Sequence, residues 1–119
     1  MILVDTSVWV DHLRSSDEQL VQALLDDQVL GHPWVVGELA LGGVPADGPV
    51  ATAMADLPTA PVASPSEVLE LIARRGLAGR GIGYVDVHLL ASALLRPGTR
   101  LWTRDRRLGE AAVELAIAA

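Results

Sequence analysis

Met1-Ile2-Leu3-Val4-Asp5-Thr6-Ser7 sets four apolar residues in a row, stops them at a carboxylate and follows with two hydroxyls. A short apolar run bounded by a helix-start signal reads as a buried strand, here residues 2–5, with a helix behind it from Thr6 to about Leu13. A buried strand that passes directly into a helix is how a parallel, covered sheet begins. The rest of the chain continues the alternation. Residues 17–26 carry Leu20, Val21, Leu24 and Leu25 on one helical face, and Val29 to His32 is a strand candidate. Pro33 suits the first turn of a helix that runs to about Leu41. The glycine- and proline-rich stretch 42–49 is a loop, and Val50 to Leu57 is a short helix.

The second half is punctuated just as clearly. Residues 60–63 read as a strand, with Pro61 favouring a sheet edge. Ser64-Pro65-Ser66-Glu67 is a capping box with proline at the first helical position, so a helix should span Pro65 to Arg75 and stop at Gly76. Four glycines within 76–83 make a loop, read as a hinge. Helix 84–95 follows, closed by Pro97-Gly98; then come strand 100–103, helix 105–112 and a last strand at 115–117. The expectation is a single α/β domain over residues 1–119, with a parallel sheet of 4–5 short strands covered by helices on both faces.

Composition narrows the function. Half of the residues are hydrophobic and mean hydropathy is +0.36, enough for a core with apolar surface to spare for a partner. Trp9, Val35, Val36, Leu39 and Leu41 are the expected partner-facing set. No cysteine is present, which excludes disulfides and thiolate metal sites and fits a cytoplasmic address. No basic leader precedes the first apolar run and no stretch approaches about 18 apolar residues, so neither a signal peptide nor a membrane span is expected. The net charge of −6 is unevenly spread: residues 1–73 hold one arginine and eleven acids, residues 74–119 eight arginines and four acids. That asymmetry suggests a polyanion-binding surface with Arg80, Arg104, Arg106 and Arg107 as the contacts; arginines decorating solvated helix ends are the plainer explanation.

Four acids occupy places where a core-building sequence puts apolar residues. Asp5 ends the first strand, and Glu38 is the only Asp, Glu, Lys or Arg between Val29 and Ala46. Asp86 lies in Gly83-Tyr84-Val85-Asp86-Val87-His88-Leu89-Leu90, and Asp105 closes Leu101-Trp102-Thr103-Arg104-Asp105. Each has an ordinary reading: Asp5 and Asp105 as helix caps, Asp105 also as an ion-pair partner, Asp86 as a helix-dipole residue, Glu38 as a solvated side chain. Together they are harder to dismiss, because burying an unpaired carboxylate costs several kcal/mol or more. In a parallel sheet, ligands bind outside the carboxyl ends of the strands, where Asp5 and Asp105 both fall. An all-oxygen set of this kind suits Mg²⁺ or Mn²⁺. His12, His32 and His88 lack metal-like spacing, and the glycines of 79–83 lack the strand that a nucleotide fingerprint requires before it.

Ile2-Leu3-Val4-Asp5-Thr6-Ser7, Glu38-Leu39-Ala40, Gly83-Tyr84-Val85-Asp86 leading into Leu89-Leu90-Ala91-Ser92-Ala93, and Leu101-Trp102-Thr103-Arg104-Asp105 resemble the PIN-domain family. More narrowly, they resemble the VapC-type toxins of bacterial toxin–antitoxin pairs, over essentially the whole chain. The resemblance implies a Mg²⁺- or Mn²⁺-dependent endoribonuclease, an RNA substrate, a VapB-type antitoxin partner and a homodimer. It carries the site onto Asp5, Glu38, Asp86 and Asp105 as catalytic and metal-binding residues, with Ser7 and Thr103 as polar residues supporting them. The chain departs from the family pattern in its few residues after Leu115 and in its acidity. A catalytically silent PIN-like module that binds RNA or protein, and a DNA nuclease of the same chemistry, are the alternatives.

Overall fold

The structure, a computed structural model, describes residues 1–119. Three strands, β1 (Ile2–Val4), β2 (Val29–Leu30) and β3 (Arg100–Trp102), form a parallel sheet in the order β2-β1-β3. Seven helices accompany them: α1 (Thr6–Arg14), α2 (Glu18–Leu25), α3 (Pro33–Leu41), α4 (Pro49–Ala55), α5 (Pro65–Arg75), α6 (Tyr84–Leu95) and α7 (Arg106–Glu114). None is long and apolar enough to cross a membrane.

The caps work as the sequence implied. Ser64 Oγ accepts from the Glu67 amide at 3.2 Å, and Glu67 Oε1 accepts from the Ser64 amide at 2.9 Å. Gly76 ends α5 with φ +60°, a left-handed conformation that glycine adopts without a Cβ clash. α6 is buried on every side from Val87 to Ala93. A helix apolar all round belongs in the interior, and α6 packs between α5 and β3. Leu89, Leu90, Leu3, Leu30 and Leu101 are all part of one core cluster of 25 residues.

The expected 4–5 strands reduce to three. Residues 60–63 form no strand; a single bridge falls just before them, Gly31 with Thr59, made by the Gly31 amide to Pro58 O and the Ala60 amide to Gly31 O. Pro61 has no N–H to extend the ladder, and Pro33 turns the opposite chain into α3. Residues 115–117 likewise form no strand, and one bridge falls just after them, Leu101 with Ala118. Ala116 takes φ +59° as α7 ends, so extended backbone begins only at Ile117.

The apolar set expected to face a partner also changes. Trp9, Val35 and Leu39 are core, Val36 is half-buried, and only Leu41 is almost fully exposed. Helix periodicity gives α3 two apolar faces, and the core took the one containing Val35 and Leu39.

Candidate metal and nuclease site

β1 is the central strand; the chain leaves it toward β2 on one side and later reaches β3 on the other. The carboxyl end of β1 is therefore the topological switch point, where the loops diverge and leave a crevice. Asp5 stands there, 3% exposed, its amide donating to Trp102 O at 2.9 Å. It also caps α1, accepting from the Ser7 amide at 3.4 Å. Two hydroxyls hold its carboxylate more firmly: Ser7 Oγ and Thr103 Oγ1 each donate to Oδ2 at 2.7 Å. The three hydrogen bonds converge on Oδ2, leaving Oδ1 without a partner. Thr103 Oγ1 also accepts from the Asp105 amide at 3.0 Å, tying the start of α7 to the same oxygen network.

Glu38, half-buried on the second turn of α3, accepts from Thr6 Oγ1 at 2.7 Å. Asp86, half-buried in the first turn of α6, accepts from the Gly83 amide at 3.3 Å. Asp105 is exposed and caps α7, accepting from the Leu108 amide at 2.9 Å. The capping readings of Asp5 and Asp105 are thus correct, and they coexist with a shared site. Asp86 reports that sharing. Burial first, and then the charges of Asp5, Glu38 and Asp105, together push its carboxyl up to about 6 against the opposing pull of the Gly83 amide. Carboxylates from three other segments thus act electrostatically on Asp86.

The donor set fits a hard divalent cation: it is all carboxylate oxygen, and burial together with the neighbouring negative charges raises Asp86 above its ordinary range. No three carboxylate or histidine side chains converge closely enough to grip one ion directly. Mg²⁺ does not require that, since it commonly binds through one or two carboxylates and keeps several waters.

The arginines named from the sequence take different positions. Arg80 makes a two-pronged pair with Glu114 at 2.6 and 2.9 Å. Arg104 pairs with Asp11 at 2.6 Å and with Asp17. Arg106 lies 3.8 Å from Glu110 on the same helix face. Arg107 makes no ion pair; its guanidinium lies against Gly81, where a Cβ would collide with it. Charge segregated along the sequence is partly neutralised in space, since Arg104 reaches back to acids of the first half.

Several residues escaped sequence reasoning. Thr6 orients Glu38, and its only sequence signal is its place in Asp5-Thr6-Ser7. Asp11 and Asp17 hold Arg104. His32 is buried, with Nε2 2.9 Å from Ser92 Oγ and Nδ1 accepting from the Trp34 amide at 3.1 Å. Burial, with a smaller contribution from His88, pushes its pKa down to about 4. His88 packs between Trp34 and Tyr84, at ring-centroid distances of 5.2 and 4.8 Å.

Residues 2–114 match the family described as PIN domain. The chain is also 51% identical over 118 residues to Ribonuclease VapC32 of Mycobacterium tuberculosis, in strains CDC 1551 / Oshkosh and ATCC 25618 / H37Rv. The match covers 99% of this chain and 95% of each relative. The family match and the near-complete coverage agree: the chain belongs to the PIN-domain family, and within it to the VapC type.

Proposed function

We propose that the protein is a Mg²⁺- or Mn²⁺-dependent endoribonuclease, the toxin of a toxin–antitoxin pair, acting in the cytoplasm and restrained by a VapB-type antitoxin. The observation that carries this reading is the Asp5 carboxylate, buried at the end of the central strand and held through Oδ2 by Ser7 and Thr103 with Oδ1 unpaired, whose charge, with those of Glu38 and Asp105, also bears on Asp86. A protein without a cationic ligand for this crevice would gain stability by replacing such charges with apolar residues.

Asp5 and Asp86 are the principal ligands in this reading, with Glu38 and Asp105 completing the set directly or through water. A divalent cation bound there supplies charge stabilisation to the phosphodiester as it is hydrolysed. The chain's own contribution is preorganisation. Ser7 and Thr103 fix Asp5 by holding Oδ2 while Oδ1 stays free, and Thr6 fixes Glu38. Orienting partners of this kind commonly contribute 10–100-fold to affinity or rate. Asp86, with its carboxyl pushed up to about 6 by burial and by its acidic neighbours, would bind a cation in competition with a proton in mildly acidic solution. Arg107, without a carboxylate partner, and Arg106 are the arginines most available to the RNA backbone. Arg80 and Arg104 would have to exchange a carboxylate for a phosphate. We further infer that two copies associate as a homodimer, with exposed Leu41 as apolar surface available to a partner.

The test is cleavage of single-stranded RNA and of DNA of the same sequence by protein freed of metal, then supplied with Mg²⁺ or Mn²⁺. RNA cleavage should require the ion and stop in chelator. Asp5→Asn and Asp86→Asn should each slow it on the order of 10²–10³-fold, the scale of losing one electrostatic contact to the transition state. Undiminished cleavage by both variants would sink the reading, and preferential cutting of DNA would move it to the DNA-nuclease alternative.

A further inference from the structure

The loop between β3 and α7 is three residues long, and two of them belong to the site: Thr103 holds Asp5, and Asp105 is one of the four acids. Arg104 lies between them, in a part of the chain where a basic residue reads as an RNA contact. Its surroundings point elsewhere. The Arg104 amide donates to Ser7 Oγ at 3.0 Å, the hydroxyl that itself donates to Asp5. The Arg104 side chain spans outward to two carboxylates on other elements. Nη1 meets Asp11 Oδ2 on α1 at 2.6 Å, and Nη2 meets Asp17 Oδ2 at the start of α2.

Those acids are themselves anchored to the α1–α2 corner. Asp17 Oδ1 accepts from the Leu20 amide at 3.0 Å as the cap of α2, and the Asp17 amide donates to His12 Nδ1 at 3.0 Å. One guanidinium therefore ties the β3–α7 loop to the corner between two helices. Its planar fork suits that task, because it meets two acceptors at fixed angles. With two of its nitrogens occupied by carboxylates, it is poorly placed to receive a phosphate.

We propose that Arg104 is a positioning residue: clamped by Asp11 and Asp17, it holds Thr103 and Asp105 in place around Asp5. The inference rests on the nuclease reading of the site. It differs from a merely structural role in what it moves. An exposed ion pair contributes little to stability, whereas a small displacement of a catalytic group costs rate.

The variants are Arg104→Ala, Arg104→Lys, Asp11→Asn and Asp17→Ser, the last keeping a helix-capping oxygen. Single-stranded RNA cleavage, RNA affinity across a salt series, melting temperature and amide hydrogen exchange are measured on each full-length protein. Arg104→Ala and the Asp11→Asn/Asp17→Ser double variant should both lower kcat about 10–100-fold. KM and its salt dependence should stay near wild type. Arg104→Lys should not restore kcat, since an ammonium cannot bridge both acids in the same geometry; at a phosphate contact it would restore most of the function. In the double variant, the amides of Arg104 and Asp105 should exchange faster than in wild type.

The two roles predict opposite signs for that double variant. Removing Asp11 and Asp17 frees the guanidinium, so a phosphate-contacting Arg104 would bind RNA more tightly. Raised RNA affinity, rescue by lysine, or unchanged exchange at Arg104 and Asp105 would each overturn the proposal. Wild-type protein that cuts no RNA under any metal condition would overturn the nuclease reading, while amide exchange would still decide the clamp.

Discussion

Thr103 Oγ1 donates to Asp5 Oδ2 at 2.7 Å across 98 residues of sequence, and Ser7 Oγ reaches the same oxygen at the same distance from two residues away. One carboxylate oxygen is thus fixed by a local and a distant hydroxyl, which lie 3.3 Å from each other. The buried negative charge gains two donors, and the unbonded Oδ1 gains a defined direction.

If those hydroxyls orient Asp5, Ser7→Ala and Thr103→Val should each lower activity or Mn²⁺ affinity about 10–100-fold. Their effects should not add, because each hydroxyl partly compensates for loss of the other on a shared oxygen. Kinetics and Mn²⁺ titration of the two single variants and the double variant check this; independent, additive losses would mean that the hydroxyls act on different groups.

The pH dependence of stability should show two opposed contributions when divalent metal is absent. Asp86 in the folded protein titrates near 6 against an ordinary 3.8. The native state therefore binds its proton more readily than the unfolded chain, and this contribution is present at about pH 4 and lost as pH rises through about 6. His32 runs the other way, near 4 against an ordinary 6.5, so its neutral form stabilises the fold above pH 6.5 and that contribution is lost as pH falls through about 4. Melting temperature in chelator should rise with pH between about 4 and 6 for Asp86→Asn, fall for His32→Gln, and change least for wild type. Identical curves for wild type and Asp86→Asn would show that the Asp86 carboxyl is not raised in the folded protein.

Ser92 is the buried partner of His32 Nε2 at 2.9 Å. Ser92→Ala should cost about 1–3 kcal/mol, the usual cost of leaving a buried polar group unsatisfied, because an apolar pocket offers no substitute. Denaturant unfolding measures it. A loss of a few tenths of a kcal/mol would mean that water reaches His32.

Arg107 carries the RNA prediction because it makes no ion pair. Arg107→Glu should weaken RNA binding and reduce the slope of log affinity against log salt by about one unit. Arg14→Glu, in the acidic half of the chain, should change the slope far less. Equal slopes for the two variants would place the RNA path elsewhere.

Helix boundaries and the four acids were legible in the linear chain because their signals are local. Ser64 and Glu67 sit one turn apart, Pro33 presets the first turn of α3, Gly76 accepts a left-handed stop, and Pro97-Gly98 closes α6. Asp5 and Asp105 follow strands, so parallel topology alone gathers them at one edge. What stayed hidden depends on distant partners. Whether 60–63 and 115–117 became strands was set by which N–H groups the neighbouring chain found available, and each was reduced to a single bridge beside it, at Thr59 and at Ala118. Trp9, Val35 and Leu39 looked like partner surface until the core enclosed them. The pairing of Arg104 was hidden because the two acids that bind it, Asp11 and Asp17, lie 93 and 87 residues away. A periodic pattern or a cap is decided by bonds within one turn of backbone. The choice of partner for a long charged side chain or a buried hydroxyl is decided by which groups the folded chain brings within about 3 Å.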